Sequence, residues 1–380
     1  MNDAAIQDRA LDLLRDLSGH DGIHASAADT ANYRAVFARD AVMAGVAGLL
    51  VRDPVITAGL VRTLGRLKEL QGAEGQIASN FEMRQRESPK VSFGTLAPRI
   101  DATTWYLIGI ALAARTGAVD PEPYRDSVQA VVRLLDALEY NGRHLIYVPA
   151  GGNWADEYVY DGYVLYDQVL RAWALRLCGD VYANPAFTAK ADAIGERIAT
   201  AYAPATEAPR RHPPASFSPL GVRDTFDLAA CTLLPVSGVA PALGALSLDF
   251  IATTFLARGV LPPAFHPVIE EGDPDWPALR AYHLHGFRNR PHEYHNGGVW
   301  PIWIGWLALA FARAGRNSNL ARLRELAAAS ATAHEDFAFP EYLHGITGAP
   351  GGTTSMAYTA TGLVFLRVAD APSTLALLAT

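Results

Sequence analysis

Apolar residues along the chain recur at helical spacing, and the segments they define alternate between two kinds. Twelve helices are predicted, at roughly 3–17, 37–50, 54–71, 101–116, 122–140, 162–179, 185–202, 225–234, 241–257, 299–314, 317–333 and 354–369. The odd-numbered segments are mostly amphipathic. The fifth sets Tyr124, Val128, Val131, Leu135 and Leu138 on one stripe, with Arg125, Gln129, Arg133 and Glu139 elsewhere, and Asn141-Gly142 reads as its C-cap. The even-numbered segments are apolar nearly all round, as in ATTWYLIGIALAA (102–114), VWPIWIGWLALAF (299–311) and MAYTATGLVFL (356–366). A helix with no wet face is buried on every side. The ninth segment departs from the alternation, being more apolar than an outer helix should be. Period-two alternation is brief, near HLIYVP at 144–149, where a small hairpin is expected.

The connections alternate as well. Even-to-odd links are short, such as Arg52-Asp53-Pro54, whereas odd-to-even links run to about 20 residues and up to about 40 before the tenth helix, well beyond the usual length. One architecture accounts for both alternations: an all-α (α/α)6 toroid, six helical hairpins in a ring with an apolar inner layer inside an amphipathic outer one. A stacked solenoid would show a repeat of fixed length, which is absent. All the long loops then emerge at one mouth, where binding and catalysis concentrate.

Composition refines this picture. The chain has 380 residues, 50% hydrophobic and only 19% charged. That length alone favours two or three domains, but a closed ring sharing one core makes residues 1–380 a single catalytic domain. Lys+Arg 32 against Asp+Glu 39 leaves a formal charge of −7, which argues against nucleic acid or an anionic membrane as partner. The N-terminal stretch carries acidic residues where a signal peptide needs basic ones, and no run is long and apolar enough to span a membrane, so a cytoplasmic location is expected. Cys178 and Cys231 lie in apolar helical segments and read as buried free thiols.

Each long loop ends in polar and aromatic residues just before an inner helix. The clusters hold Arg39 and Asp40; Arg99, Asp101 and Trp105; Trp154, Asp156, Glu157, Tyr158, Asp161 and Tyr163; Arg223 and Asp224; His292, Glu293, His295, Asn296 and Trp300; and Glu341, Tyr342, His344 and Thr347. Singly they have ordinary explanations, and Asp101 in particular reads as an N-cap. Converging on one opening, they supply what sugars need: aromatic faces for the ring, and Asp, Asn, Arg and His for its hydroxyls. A small carbohydrate is therefore the expected partner. Glycoside cleavage further requires two carboxyl groups across the scissile bond. The His292, Glu293 and His295 spacing is thin evidence for zinc. There is no phosphate-cradling glycine motif and no Ser or Cys nucleophile signature, so neither a metal nor a cofactor is expected.

These loop motifs resemble the (α/α)6-barrel glycoside hydrolases, nearest the alkaline/neutral invertase family and more distantly the glucosidase domain of glycogen debranching enzymes. RNRPHEYHNGGVWP is similar to a segment ending YHNGG-x-WP, FPEYLHGITGAPGG to WPEYYDG-x-x-G, YRAVFARD to Y-x-x-VFVRD, and PRIDATTW to V-D-x-x-x-W. The resemblance implies an inverting mechanism on a small α-glucoside, with Asp156 as general acid and Glu341 as base, and with Arg39, Asp40 and Asp101 lining the sugar subsite. Trp105, Trp154, Tyr158, Tyr163, His295, Asn296, Trp300 and Tyr342 complete the expected substrate-binding set. Trp154 and Tyr158 flank Asp156 and are expected to dehydrate it, raising its pKa. Glu341 follows Pro340, which helps fix its direction. This chain carries Glu157-Tyr158 where invertases have an Arg pair, and Val299 where they have Ser. Two other activities fit the same fold: a sugar 2-epimerase using two of His292, His295 and His344, and a phosphorylase with Arg223 or Arg288 holding phosphate.

Overall fold

The computed structural model describes residues 3–28, 33–84, 87–139, 142–204, 211–281, 283, 286–334 and 336–379. Its helices are α1 (Asp3–Leu17), α2 (Ala38–Val51), α3 (Pro54–Glu69), α4 (Ile100–Arg115), α5 (Arg125–Ala137), α6 (Leu165–Val181) and α7 (Pro185–Ala201). They continue as α8 (Leu228–Ser237), α9 (Pro241–Thr254), α10 (Trp276–Ala281), α11 (Pro301–Arg313), α12 (Asn317–Thr332), α13 (Ala357–Val368) and α14 (Pro372–Leu378). All twelve expected helices are present. The short α10 and α14 are additional, because one or two turns carry too little periodicity to register.

Helices α2, α4, α6, α8, α11 and α13 pack in that order, and α13 returns to α2, closing an inner ring. The fold is an (α/α)6 toroid. The inner helices are buried almost throughout, whereas α3, α5, α7 and α12 bury only a stripe. The apolar α9 is an outer helix too, burying Leu243, Gly244, Ser247, Leu248, Phe250 and Ile251. Trp105 from α4, Trp173 from α6 and Trp306 from α11 meet with centroids 5.6–6.3 Å apart, and Phe365 of α13 packs on Trp306 at 4.8 Å. Where α11 crosses α13 the backbones touch: a Cβ at Gly362 would lie 2.1 Å from the Pro301 carbonyl oxygen. Cys178 and Cys231 are buried and unpaired.

Local chemistry sets the short ends. Asp53 accepts from the Val55 and Ile56 N–H groups with Pro54 in the first turn of α3, and Gly238 ends α8 in the left-handed region. The fifth segment begins with a 3-10 turn at Glu122–Tyr124, and α5 ends at Ala137 with Leu138 as its C-cap, short of the expected cap at Asn141-Gly142, of which Asn141 lies outside the described residues. Among the described residues, no single helix is long and apolar enough to cross a membrane.

The long connections are not bare loops. They hold strands of two or three residues in five small antiparallel sheets, such as Val36–Phe37 on Asn80–Glu82 and Tyr342–Leu343 on Pro350–Gly351. Strands this short carry no alternation that a sequence could reveal. The hairpin expected at 144–149 is instead two isolated bridges, Ile146 to Glu139 and Val148 to Gly162.

Candidate active site

Every inner helix begins where a long connection ends, so six helix N-termini gather beneath one mouth. Their partial positive charge favours carboxylates there. Asp40, Asp101 and Asp167 occupy the first turns of α2, α4 and α6, and Asp227 caps α8. Above this floor lies a cavity of about 410 Å3, a volume that suits a small sugar. Its walls include Arg39, Asp40, Arg99, Trp154, Asp156, Glu157, Arg288, Trp300 and Glu341. Five of the six long connections contribute. The fourth does not line the cavity; its Arg223 is spent on Asp275.

Glu341 is 4% exposed. The Tyr33 hydroxyl donates to its Oε1 at 2.7 Å, and the Thr353 N–H donates to its Oε2 at 3.2 Å. Its backbone is held by Thr353, whose carbonyl accepts the Glu341 N–H at 2.7 Å, and by the paired Val299 and Leu343, which tie the fifth connection to the sixth. Gly352 has φ +73°, and a Cβ there would stand 2.3 Å from Glu341 Oε2, so only glycine lets this loop close on the carboxylate. Burial raises the pKa of Glu341; the Arg288 charge and the Tyr33 hydrogen bond oppose the rise, and the Asp156 charge adds to it.

Asp156 is built differently. Its side chain is 31% exposed, and its Oδ2 meets Arg99 Nη2 at 2.5 Å. The expected aromatic jacket is absent. The Trp154 ring turns inward against Phe265, His295, Trp300 and Trp303, and Tyr158 stacks on Phe265 at 4.0 Å. The chain turns at Asp156–Glu157, with the Tyr158 N–H donating to the Ala155 carbonyl at 3.1 Å, so the aromatic residues on either side do not share the direction of Asp156.

The sugar-subsite residues form one network. Arg39 donates from Nη1 to Asp101 Oδ2 at 2.8 Å and from Nε to the Tyr358 hydroxyl at 2.7 Å, while Asp40 Oδ1 lies 3.7 Å from Nε. Asp40 is pushed up to about 6, by burial first and by the Glu341 and Asp101 charges, with Arg39 opposing. Asp40 Oδ1, Arg99 Nη1 and Trp154 Nε1 are buried with no hydrogen-bond partner, leaving bonding capacity in the cavity wall that sugar hydroxyls could use.

Of the expected set, Arg39, Asp40, Trp154, Asp156, Trp300 and Glu341 line the cavity. The others lie elsewhere. Asp101 is wholly buried under Arg39, and it is not an N-cap: Arg99 occupies that position without a side-chain cap. Trp105 belongs to the barrel core and donates to the Tyr166 hydroxyl at 2.9 Å. Tyr158 is buried on Phe265, and Tyr163 packs against Tyr147 and Phe217 away from the cavity. Asn296 clasps its own loop, accepting from the Ile269 N–H at 2.8 Å and donating to the Ile269 and Asn289 carbonyls. Tyr342 stands behind Trp300. His295 is fully buried and stacked on Trp300, and burial lowers its pKa well below the ordinary value.

None of the histidines weighed for proton transfer lines the cavity; His292 and His344 pack together with ring centroids 5.9 Å apart. Among the described residues, no three His, Cys, Asp or Glu side chains converge as a metal would need. Sequence reasoning left out Tyr33, Ser79, Asn80, Tyr294 and Tyr358, all of which line the cavity. Tyr33 opens the YRAVFARD motif and was open to discovery there; Ser79 and Asn80 lie in no recognisable motif.

Residues 266–370 match the family model described as alkaline and neutral invertase. No curated protein matches the chain in sequence. Among solved structures, mannosylglycerate hydrolase from Thermus thermophilus in complex with glucose is similar in fold, with TM-score 0.68 and 13% identity over 95% of this chain and 99% of that one. The same hydrolase with Tris and D-glycerate gives TM-score 0.67, also at 13% identity and over the same shares of the two chains. A glycosidase variant in complex with glucose gives TM-score 0.66 at 15% identity, over 98% of this chain and 96% of that one. The last third of the chain thus matches the invertase family model, and the ring around its cavity is the (α/α)6 toroid it shares with these glycosidases.

Proposed function

We propose that this chain is a single-domain, exo-acting glycoside hydrolase that inverts configuration while cleaving a small α-glucoside. The observation that carries the reading is the pairing of two dissimilar carboxylates in one cup: Asp156 partly open beside Arg99, and Glu341 buried and tethered by Tyr33. Asp156 gives its proton to the glycosidic oxygen as the C1–O bond breaks. Glu341 takes a proton from water, whose oxygen bonds to C1 from the opposite face. The products are the leaving alcohol and a sugar of opposite anomeric configuration. Arg99 engages only Oδ2 of Asp156, which leaves Oδ1 for the leaving oxygen. Arg39 and Asp40 hold the sugar hydroxyls, and Trp300 and Trp154 add apolar surface to the wall.

Sucrose, trehalose, kojibiose, isomaltose, glucosylglycerol and glucosylglycerate, with mannosylglycerate from the structural relative, form the test panel. Proton NMR in the first minutes of turnover should show the inverted anomer of the released sugar. Retained configuration would refute the roles assigned to both carboxylates.

A further inference from the structure

We propose that Glu157, by occupying Arg288, restricts this site to uncharged leaving groups and to water, not phosphate, as the attacking group. The inference rests on the hydrolase reading above and deepens it. Three arginines line the cup, and each faces a carboxylate: Arg39 meets Asp101, Arg99 meets Asp156 and Arg288 meets Glu157. The Glu157–Arg288 contact is a two-point fork, with Nη2 to Oε1 at 3.2 Å and Nε to Oε2 at 3.3 Å. The Glu157 side chain is only 3% exposed, and the Asn289 amide donates to its backbone carbonyl at 2.7 Å. Arg288 lies over the Tyr294 ring at 4.0 Å and reaches the Tyr33 hydroxyl at 3.4 Å.

This pair spans the space that matters. Glu157 adjoins Asp156, the proton donor to the leaving oxygen, and Arg288 touches Tyr33, which holds the base. An acidic leaving group would need unspent cationic donors on the first side, and a phosphate nucleophile would need them on the second. The charge balance of the lining is against either: three arginines stand against four carboxylates, Asp40, Asp156, Glu157 and Glu341, and although Arg99 Nη1 has no hydrogen-bond partner, its guanidinium is already paired with Asp156. An anion would have to compete for Arg288 with Glu157, a buried carboxylate already forked onto it. A neutral polyol asks only for hydrogen bonds, which the outer edges of this fork can give.

The test compares α-glucosylglycerol with α-glucosylglycerate, which differ only by the carboxylate, and titrates inorganic phosphate by calorimetry. The unaltered enzyme should favour the neutral glucoside by about tenfold or more in kcat/KM and bind no phosphate at millimolar concentration. Glu157→Gln should narrow that preference by about tenfold, the effect of roughly one lost charge contact, and should gain phosphate binding that Arg288→Gln abolishes. A wild-type preference for the glycerate compound, or a preference unmoved by Glu157→Gln, overturns the inference. If neither glucoside is cleaved, the α-glucoside reading fails by itself. Phosphate then decides: binding to the unaltered enzyme that Arg288→Gln removes overturns the role of Glu157, and binding gained only with Glu157→Gln supports it. Should Glu157→Gln fail to fold, the wild-type preference and the wild-type phosphate titration decide alone.

Discussion

The third and sixth long connections each deliver one of the two proposed catalytic carboxylates to the same cavity and do so by opposite means. The sixth buries Glu341 with the Thr353 N–H on one oxygen and Gly352 pressed against it, and the Tyr33 hydroxyl from the first connection holds the other oxygen. The third leaves Asp156 about a third exposed, with one oxygen on Arg99 and the other open to the cavity. A group that must hold water in one direction gains from a rigid, enclosed seat. A group that must protonate whatever leaves needs an open edge. The difference in burial therefore parallels the difference in proposed role.

Removing either carboxylate should break the comparison most severely. Glu341→Gln and Asp156→Asn are each expected to lower kcat by about a thousandfold or more, the upper range for a general acid or base. The two should differ when the leaving group is made good. With an activated aryl glucoside, which departs without a proton, Asp156→Asn should recover most of its rate and Glu341→Gln should not. Recovery by Glu341→Gln instead would exchange the two roles.

Gly352→Ala is next in expected size, because it tests the rigidity of one side only. Its left-handed φ of +73° costs an L-residue roughly 1–2 kcal/mol, and the added methyl would collide with the Glu341 carboxylate. Displacing a positioned group by even an ångström costs about a hundredfold, so kcat should drop by that order while the ring stays folded by circular dichroism. Unchanged kcat would show that Glu341 tolerates movement.

The two connections also differ in how far sequence exposes them. The ring was legible because buried inner helices have no wet face, a pattern spread over whole segments such as 102–114 and 299–311. Asp156 and Glu341 were legible through their motifs, and both reached the cavity. Side-chain direction within the third connection was not: Trp154 and Tyr158 stand beside Asp156 in sequence yet pack on Phe265, which comes from a different connection. Asn296 misled for a related reason. An amide that clasps Ile269 across its own loop has the same residue type as one that binds a hydroxyl. Tyr358 sits in a run that reads as core, yet it lines the cavity and accepts from Arg39.

The smallest expected effect is the most discriminating, because it concerns a proton and not a shape. Burial has raised Glu341, and the Tyr33 hydrogen bond is among the influences that restrain the rise. Acting as base, Glu341 must be ionised, so the acid limb of kcat/KM should fall above its ordinary value of 4.5. Tyr33→Phe removes a donor that stabilises the charged form, so the folded pKa must increase further, and the acid limb should move to higher pH. At pH well above that limb the variant should lose roughly tenfold, the lower end of the about 1.5–3 kcal/mol that one hydrogen bond to a charged group is worth, because the Thr353 N–H and Arg288 remain. Arg99→Gln gives the contrast: it touches Asp156 and leaves Glu341 with all its partners, so the acid limb should stay in place. A shift on Arg99→Gln with none on Tyr33→Phe would mean that the limb reports Asp156, and the base would have to be sought in the third connection.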